Sequence, residues 1–262
     1  MGNQGNKGTE KRPRVRIGTL EMTQLHLRNP YIVAWWSAAF PGFGHLLLSM
    51  NVRGFILFIW EVVINVQAGI NAAMIYSFQG EIELAKEALN TRWLLIYIPV
   101  YLFAIWDSYR TTVDMNKIYL LAERDEQLSR SFKLGSFEIN YLEKREPLLA
   151  IIWSLFVPGL GHLYLHRIIT SFFIIIWTVV FFYYSHGLEA ISLLFLGKIA
   201  EATAIVKPEW LLFFPSIYGF AAFDAYMNTV ENNKLYEEEQ RNFLQKNYQA
   251  PALQILKGQK VK

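Results

Sequence analysis

The chain has no cysteine. That excludes disulfides, thiolate metal sites, a cysteine nucleophile and a lipidated-cysteine anchor. Charge is scarce as well. Asp, Glu, Lys and Arg make up 18% of the 262 residues, below the roughly one quarter usual for a soluble chain. The charge present gathers in residues 1–30, 110–146 and 230–262, and the stretches between are nearly bare of it. There is no Gly-x-Ser-x-Gly elbow, no His-Glu-x-x-His and no Walker loop, so no enzyme signature is legible and no cofactor is expected. The first 30 residues are polar and basic, without a short apolar core before a small-residue site, so no cleavable signal peptide is expected.

Apolar residues are abundant, at 53%, with 16% aromatic. That balance points to a membrane. The net charge of +3 is no argument for nucleic acid, because the basic residues flank apolar segments and form no single stripe.

The chain also repeats itself. Pro41-Gly42-Phe43-Gly44-His45-Leu46 returns as Pro158-Gly159-Leu160-Gly161-His162-Leu163, an offset of 158 − 41 = 117. Asp107 and Asp224, Trp36 and Trp153, Trp60 and Trp177, and Trp93 and Trp210 share the offset. The reading is two tandem copies, residues 30–119 and 147–236. A basic tail (1–29) precedes them, a charged linker (120–146) joins them, and a second tail (237–262) follows.

Each copy holds three apolar segments: 31–50, 54–76 and 92–110, then 147–165, 168–184 and 209–228. The second segment of each is the plainest membrane helix. Gly54 to Tyr76 would extend about 34 Å, against a hydrocarbon core of about 30 Å. The mixed stretch Glu81–Glu87 reads as an amphipathic helix at the interface.

Lysine and arginine mark the cytoplasmic side. The N-terminal tail carries six, the stretch from Arg110 to Pro147 seven and the stretch from Lys234 to Lys262 six, whereas 77–92 carries only Lys86 and Arg92. Tails and linker therefore all belong inside, and each copy crosses an even number of times. One segment per copy does not cross. The first is the candidate, because Pro41, Gly42 and Gly44, and again Pro158, Gly159 and Gly161, break its helix. A re-entrant turn is preferred over a span for 31–50 and 147–165. The expected fold is all-α: a polytopic helical membrane protein of two parallel repeats. Each has a Pro-Gly-broken helix, two spanning helices and one interfacial helix. The expected place is the cell membrane, with both termini cytoplasmic.

The run Gly159-Leu160-Gly161-His162-Leu163-Tyr164-Leu165 and the ends Trp106-Asp107 and Phe223-Asp224 resemble a small two-transmembrane-helix domain family. Leu47 replaces the turn tyrosine in the first copy, Ser49 and His166 stand where a glycine would follow, and the interval to the aspartate is longer. The resemblance implies a membrane hairpin and no particular activity.

Five residues could carry chemistry. His45 with His162, and Asp107 with Asp224, are duplicated. They read either as a proton relay or cation site, or as a turn fixed by hydrogen bonds and a carboxylate at a helix end. A third reading, a lipid-modifying enzyme on the His–Asp pairs, is weaker. Contact between histidine and aspartate within each copy is expected. Glu61 lies inside Phe58-Ile59-Trp60-Glu61-Val62, and its counterpart is Thr178. It needs a partner such as Asn65, Gln67 or a neighbouring helix, a proton, or a role on a path. The expected function is a non-catalytic accessory or scaffold subunit working through helix and lipid contacts. The alternative is a transporter or channel subunit with its site at the repeat interface. Expected partners are the lipid bilayer, anionic lipid at Lys11-Arg12-Pro13-Arg14-Val15-Arg16, and other proteins or a second copy, with no nucleic acid.

Overall fold

The computed structural model describes residues 14–124, 132–134 and 139–248. The chain is 79% helical and all-α in class.

A hairpin comes first, strands β1 (Val15–Ile17) and β2 (Met22–Gln24), closed where the Gly18 amide donates to the Glu21 carbonyl. Helix α1 (Pro30–Ala39) follows. Pro30 suits its first turn, where no amide is needed, and the Asn29 side chain accepts from the Tyr31 amide. Phe40 is extended and Gly42 has φ 103°, so the helix stops there. The space beside Gly42 is closed too: a Cβ would lie 2.5 Å from the Gly54 carbonyl oxygen. Glycine is required twice over, by dihedral and by contact. The short α2 (Phe43–Leu47) then returns the chain to α3 (Asn51–Ala68).

Helices α4 (Ile70–Phe78), α5 (Ile82–Ala88) and α6 (Thr91–Arg124) complete this half. A second hairpin, β3 (Phe132–Leu134) with β4 (Ile139–Tyr141), precedes α7 (Pro147–Phe156), α8 (Leu160–Tyr164), α9 (Ile168–Ser185), α10 (Gly187–Phe195) and α11 (Ile199–Ile205). The long last helix follows a one-turn α12 (Pro208–Leu211) and is α13 (Phe213–Tyr248). The starts of α7, α8 and α9 each lie 117 residues after those of α1, α2 and α3, for example 147 − 30 = 117.

Three expectations change. The apolar stretch 54–76 is not one helix. It ends at Ala68 because Gly69 adopts the left-handed conformation that caps helices, and α4 starts anew. Hydropathy runs on through Ile70 and Ala73, so composition hides this break. The segments 92–110 and 209–228 end too early: α6 reaches Arg124 and α13 reaches Tyr248, since nothing between breaks a helix. Asp107 and Asp224 are therefore inside long helices, not at helix ends. Finally, the segments read as tail and linker each hold a hairpin. Its turn Gly18-Thr19-Leu20-Glu21 has a sequence echo in Gly135-Ser136-Phe137-Glu138, at the same offset.

Two helices, α3 and α9, are long and apolar enough to cross a membrane. Helices α5 and α6, bent by 83°, pass the same measure together. Each is built as a unit with its neighbours through small residues. A Cβ on Gly44 would strike Ser37 and approach the Val33 carbonyl at 2.6 Å, and a Cβ on Gly161 would strike Ser154. These glycines let α2 and α8 lie directly on α1 and α7. The main core is the seam between halves, filled by rings. Phe43 stacks on Phe220 at 4.0 Å, Phe55 on Phe173 at 3.9 Å, and Phe58 packs on Trp177 at 5.2 Å.

Candidate functional site

The duplicated polar residues meet within each half. His45 Nε2 lies 3.1 Å from Asp107 Oδ2, and His162 Nε2 lies 2.9 Å from Asp224 Oδ2. Each pair joins the short helix after the Pro-Gly break to the long helix closing that half. Both histidines are fully buried.

A third member, unforeseen from sequence, completes each group. Arg53 Nη1 donates to Asp107 Oδ2 at 2.7 Å, and Arg167 Nη1 donates to Asp224 Oδ2. The arginines escape a search at the repeat offset, because 167 − 53 = 114, three residues short. Three residues is almost one helical turn, so the guanidinium reaches the same carboxylate from a neighbouring position. The two groups differ in wetness. The Arg53 side chain is 48% exposed, whereas that of Arg167 is 3% exposed against a fully buried Asp224. Asn228 Nδ2 donates to Asp224 Oδ1 at 2.7 Å. The carboxylate thus has partners on both oxygens, as a buried charge requires.

The first hairpin closes over the second group. Glu21 accepts from Arg167 Nε at 3.3 Å, from Thr170 Oγ1 at 2.9 Å, and from Asn51. Asn51 and Thr170 lie in the first turns of α3 and α9, where exposed amides and the helix dipole favour an anion. The Ile168 amide donates to the Leu20 carbonyl at 3.0 Å, and His166 Nε2 meets the Thr19 carbonyl. One carboxylate therefore ties α3 and α9 together. The echo of Gly-x-x-Glu was the signal that could have flagged it.

Another duplicated contact sits beside α1 and α7. The Asn116 side chain accepts from the Arg28 amide and donates to the Arg28 carbonyl, and Asn233 does the same for Arg145. Near the hairpin, Arg14 pairs with Glu238. A cavity of 320 Å³ there is lined by Arg14, Gln24, His26, Tyr119, Lys234 and Glu238, among others. Burial, and then the Arg28 charge, hold the His26 imidazole down at about 3.

Glu61 is 4% exposed within α3. Its Oε1 accepts from Asn65 Nδ2 at 3.2 Å and from Tyr97 OH at 3.4 Å. Asn65 Oδ1 accepts from the Asn71 amide, and Asn71 Nδ2 reaches the Glu209 carbonyl at 2.8 Å in the other half. The counterpart Thr178 merely bonds its own helix, to the Ile174 carbonyl. Of the partners the sequence suggests for Glu61, Asn65 is engaged, and Tyr97 of α6 supplies the contact from a neighbouring helix.

Among the described residues there is no group of three His, Cys, Asp or Glu side chains able to hold a metal ion. No protein-family model, curated protein or solved structure matches the chain.

Proposed function

We propose that the protein is a non-catalytic integral membrane protein, an accessory or scaffold subunit of the cell membrane, working through helix and lipid contacts. The observation that carries the reading is the seam between halves. A transport site at the repeat interface needs polar groups and space there. The seam instead holds stacked rings, Phe43 on Phe220 and Phe55 on Phe173.

Two further features support a membrane setting with parallel copies. Ile56, Val63 and Val66 on α3, and Phe172, Ile176 and Val179 on α9, are exposed. Surfaces of that kind suit lipid and are costly in water. The chain also enters and leaves α1–α2 at one end. Arg28 before α1 is held by Asn116, and Asn51 after α2 meets Glu21 of the adjoining hairpin. That favours a re-entrant turn over a span. With four crossings in all, tails and linker share the cytoplasmic side. The His–Asp–Arg groups then serve as struts that lock each broken element to its long helix. The likeness to two-transmembrane-helix domains fits the same picture.

Topology is tested with single cysteines, free of any native thiol. Lys7→Cys, Arg130→Cys and Lys257→Cys should react only from the cytoplasmic side, and Glu83→Cys and Glu201→Cys from outside. External reaction of Arg130→Cys would overturn the parallel arrangement. The transporter alternative draws on Glu61 and its polar chain to Glu209. It requires ion flux in proteoliposomes that Glu61→Gln abolishes, whereas a scaffold shows no flux with either protein.

A further inference from the structure

The two halves do not meet through matching faces. The first half brings Trp36, Phe43 and Phe55 to the seam, from α1, α2 and α3. The second brings Phe173, Phe220 and Phe223, from α9 and α13. Phe43 lies flat on Phe220, Phe55 on Phe173, and Trp36 beside Phe223 at 5.3 Å.

Shifting every partner by the repeat offset gives a second set of pairs: Leu160 with Phe103, Phe172 with Ile56, and Trp153 with Trp106. A two-fold axis between the halves would form these pairs as it forms the first. They do not form. Phe103 is 49% exposed, Phe172 54%, Ile56 62%, Trp153 45% and Trp106 54%. One patch therefore meets a different patch, and an unused copy of each is left on the outer side of the opposite half. Such a heterologous contact does not close on itself.

We propose that a second copy of this chain docks on these faces, head to tail. The α7–α8–α9 side of one copy packs on the α3–α6 side of the next, by the geometry of the internal seam. The proposal rests on reading the halves as parallel copies in a membrane.

Lipid would satisfy an apolar face inside the bilayer, so the deciding observation lies beyond it. Helix α6 has 34 residues, about 51 Å at 1.5 Å each, against a core of about 30 Å. Near its end Ile118 and Leu121 are each 43% exposed, next to the exposed ion pair of Lys117 with Asp114. Of their counterparts on α13, Leu235 is covered, while Glu238 is ion-paired with its side chain 39% exposed. Leu235 is 9% exposed beneath Val15 and Ile17 of the first hairpin, and Glu238 holds Arg14. The second hairpin is the sequence counterpart of the first, at the repeat offset, and ends at Tyr141, 47% exposed. In a head-to-tail neighbour it would lie on Ile118. Repetition of the contact gives a ring if the rotation closes, or a row in the membrane plane if it does not.

Two single-cysteine proteins, Phe103→Cys and Leu160→Cys, are reconstituted together in phospholipid vesicles and treated with a short bis-maleimide. The mixture should yield cross-linked dimer, and neither protein alone should. Ile118→Cys with Tyr141→Cys should behave alike. Phe43→Cys with Phe220→Cys in one chain is the positive control and should close internally. Dimer from Phe103→Cys alone would mean a two-fold contact and overturn the proposal. No inter-chain product while the control closes would overturn it equally. Loss of the membrane reading shows separately, as failure of the protein to float with vesicles or as external labelling of the linker.

Discussion

At the scale of residues, the two His–Asp–Arg groups share a design and differ in surroundings. Asp224, His162 and Arg167 are all buried, so removing the carboxylate strands a guanidinium away from water. Asp224→Ala should cost about 3–5 kcal/mol, the range for breaking a buried pair. Asp107→Ala should cost less. Arg53 is half exposed, its pairing is screened by solvent, and it can turn to water once freed. Denaturation of the two variants in the same detergent checks the order, and equal losses would contradict the burial argument. Glu61 asks a different question. Its Oε1 is bonded while Oε2 has no partner among the described residues. A carboxamide keeps the Asn65 contact without a charge, so Glu61→Gln should leave stability unchanged or raise it slightly. A marked fall in melting temperature would mean the ionised form is needed.

Elements carry the next level. The break at Pro41-Gly42 and its copy at Pro158-Gly159 depend on backbone shape, and the long helices on the lack of any breaker. The first hairpin is the element most open to pH. His26 has a folded value of about 3 against an ordinary 6.5, so it is neutral when buried and takes a proton when released. A depressed value contributes stability above 6.5, and that contribution is lost as pH falls from 6.5 toward 3. Arg14, Lys234, Glu231, Glu238 and Tyr119 also face this cavity, and Arg28 opposes protonation. Protease cleavage in residues 14–28 should therefore rise between about pH 7 and pH 5. His26→Leu should flatten that rise. An unchanged rise in the variant would place the sensitivity on the carboxylates.

For the whole molecule, position in the seam outweighs position in the repeat. Phe43 and Leu160 are sequence counterparts, yet Phe43 is fully buried in the seam and Leu160 only partly buried. Phe43→Ala should cost about 3–5 kcal/mol, as for a large ring removed from a core. Leu160→Ala should cost clearly less in the single chain. Thermal unfolding of both compares them directly. A seam that bore no weight would make them equal.

Much of this was legible in the residues. The recurrence of Pro-Gly-x-Gly-His, of tryptophans and of aspartates at one spacing, the helix breaks at Pro41-Gly42 and Pro158-Gly159, and the all-helical class follow from local chemistry. Periodicity, proline, glycine and charge act within a few residues of themselves. Three things depended on tertiary structure. Gly69 ends α3 inside an apolar run, where hydropathy alone has no reason to stop. Arg53 and Arg167 reach equivalent carboxylates from positions a turn apart, which alignment in register conceals. Glu21 joins α3 and α9 from a segment that resembles a tail. Each contact joins residues distant in the chain, so its partner exists only once the helices have packed. The same holds for the seam: two halves with one sequence pattern can pack face to matching face or head to tail. Only the fit of side chains that are distant in the chain, such as Phe43 on Phe220, selects between them.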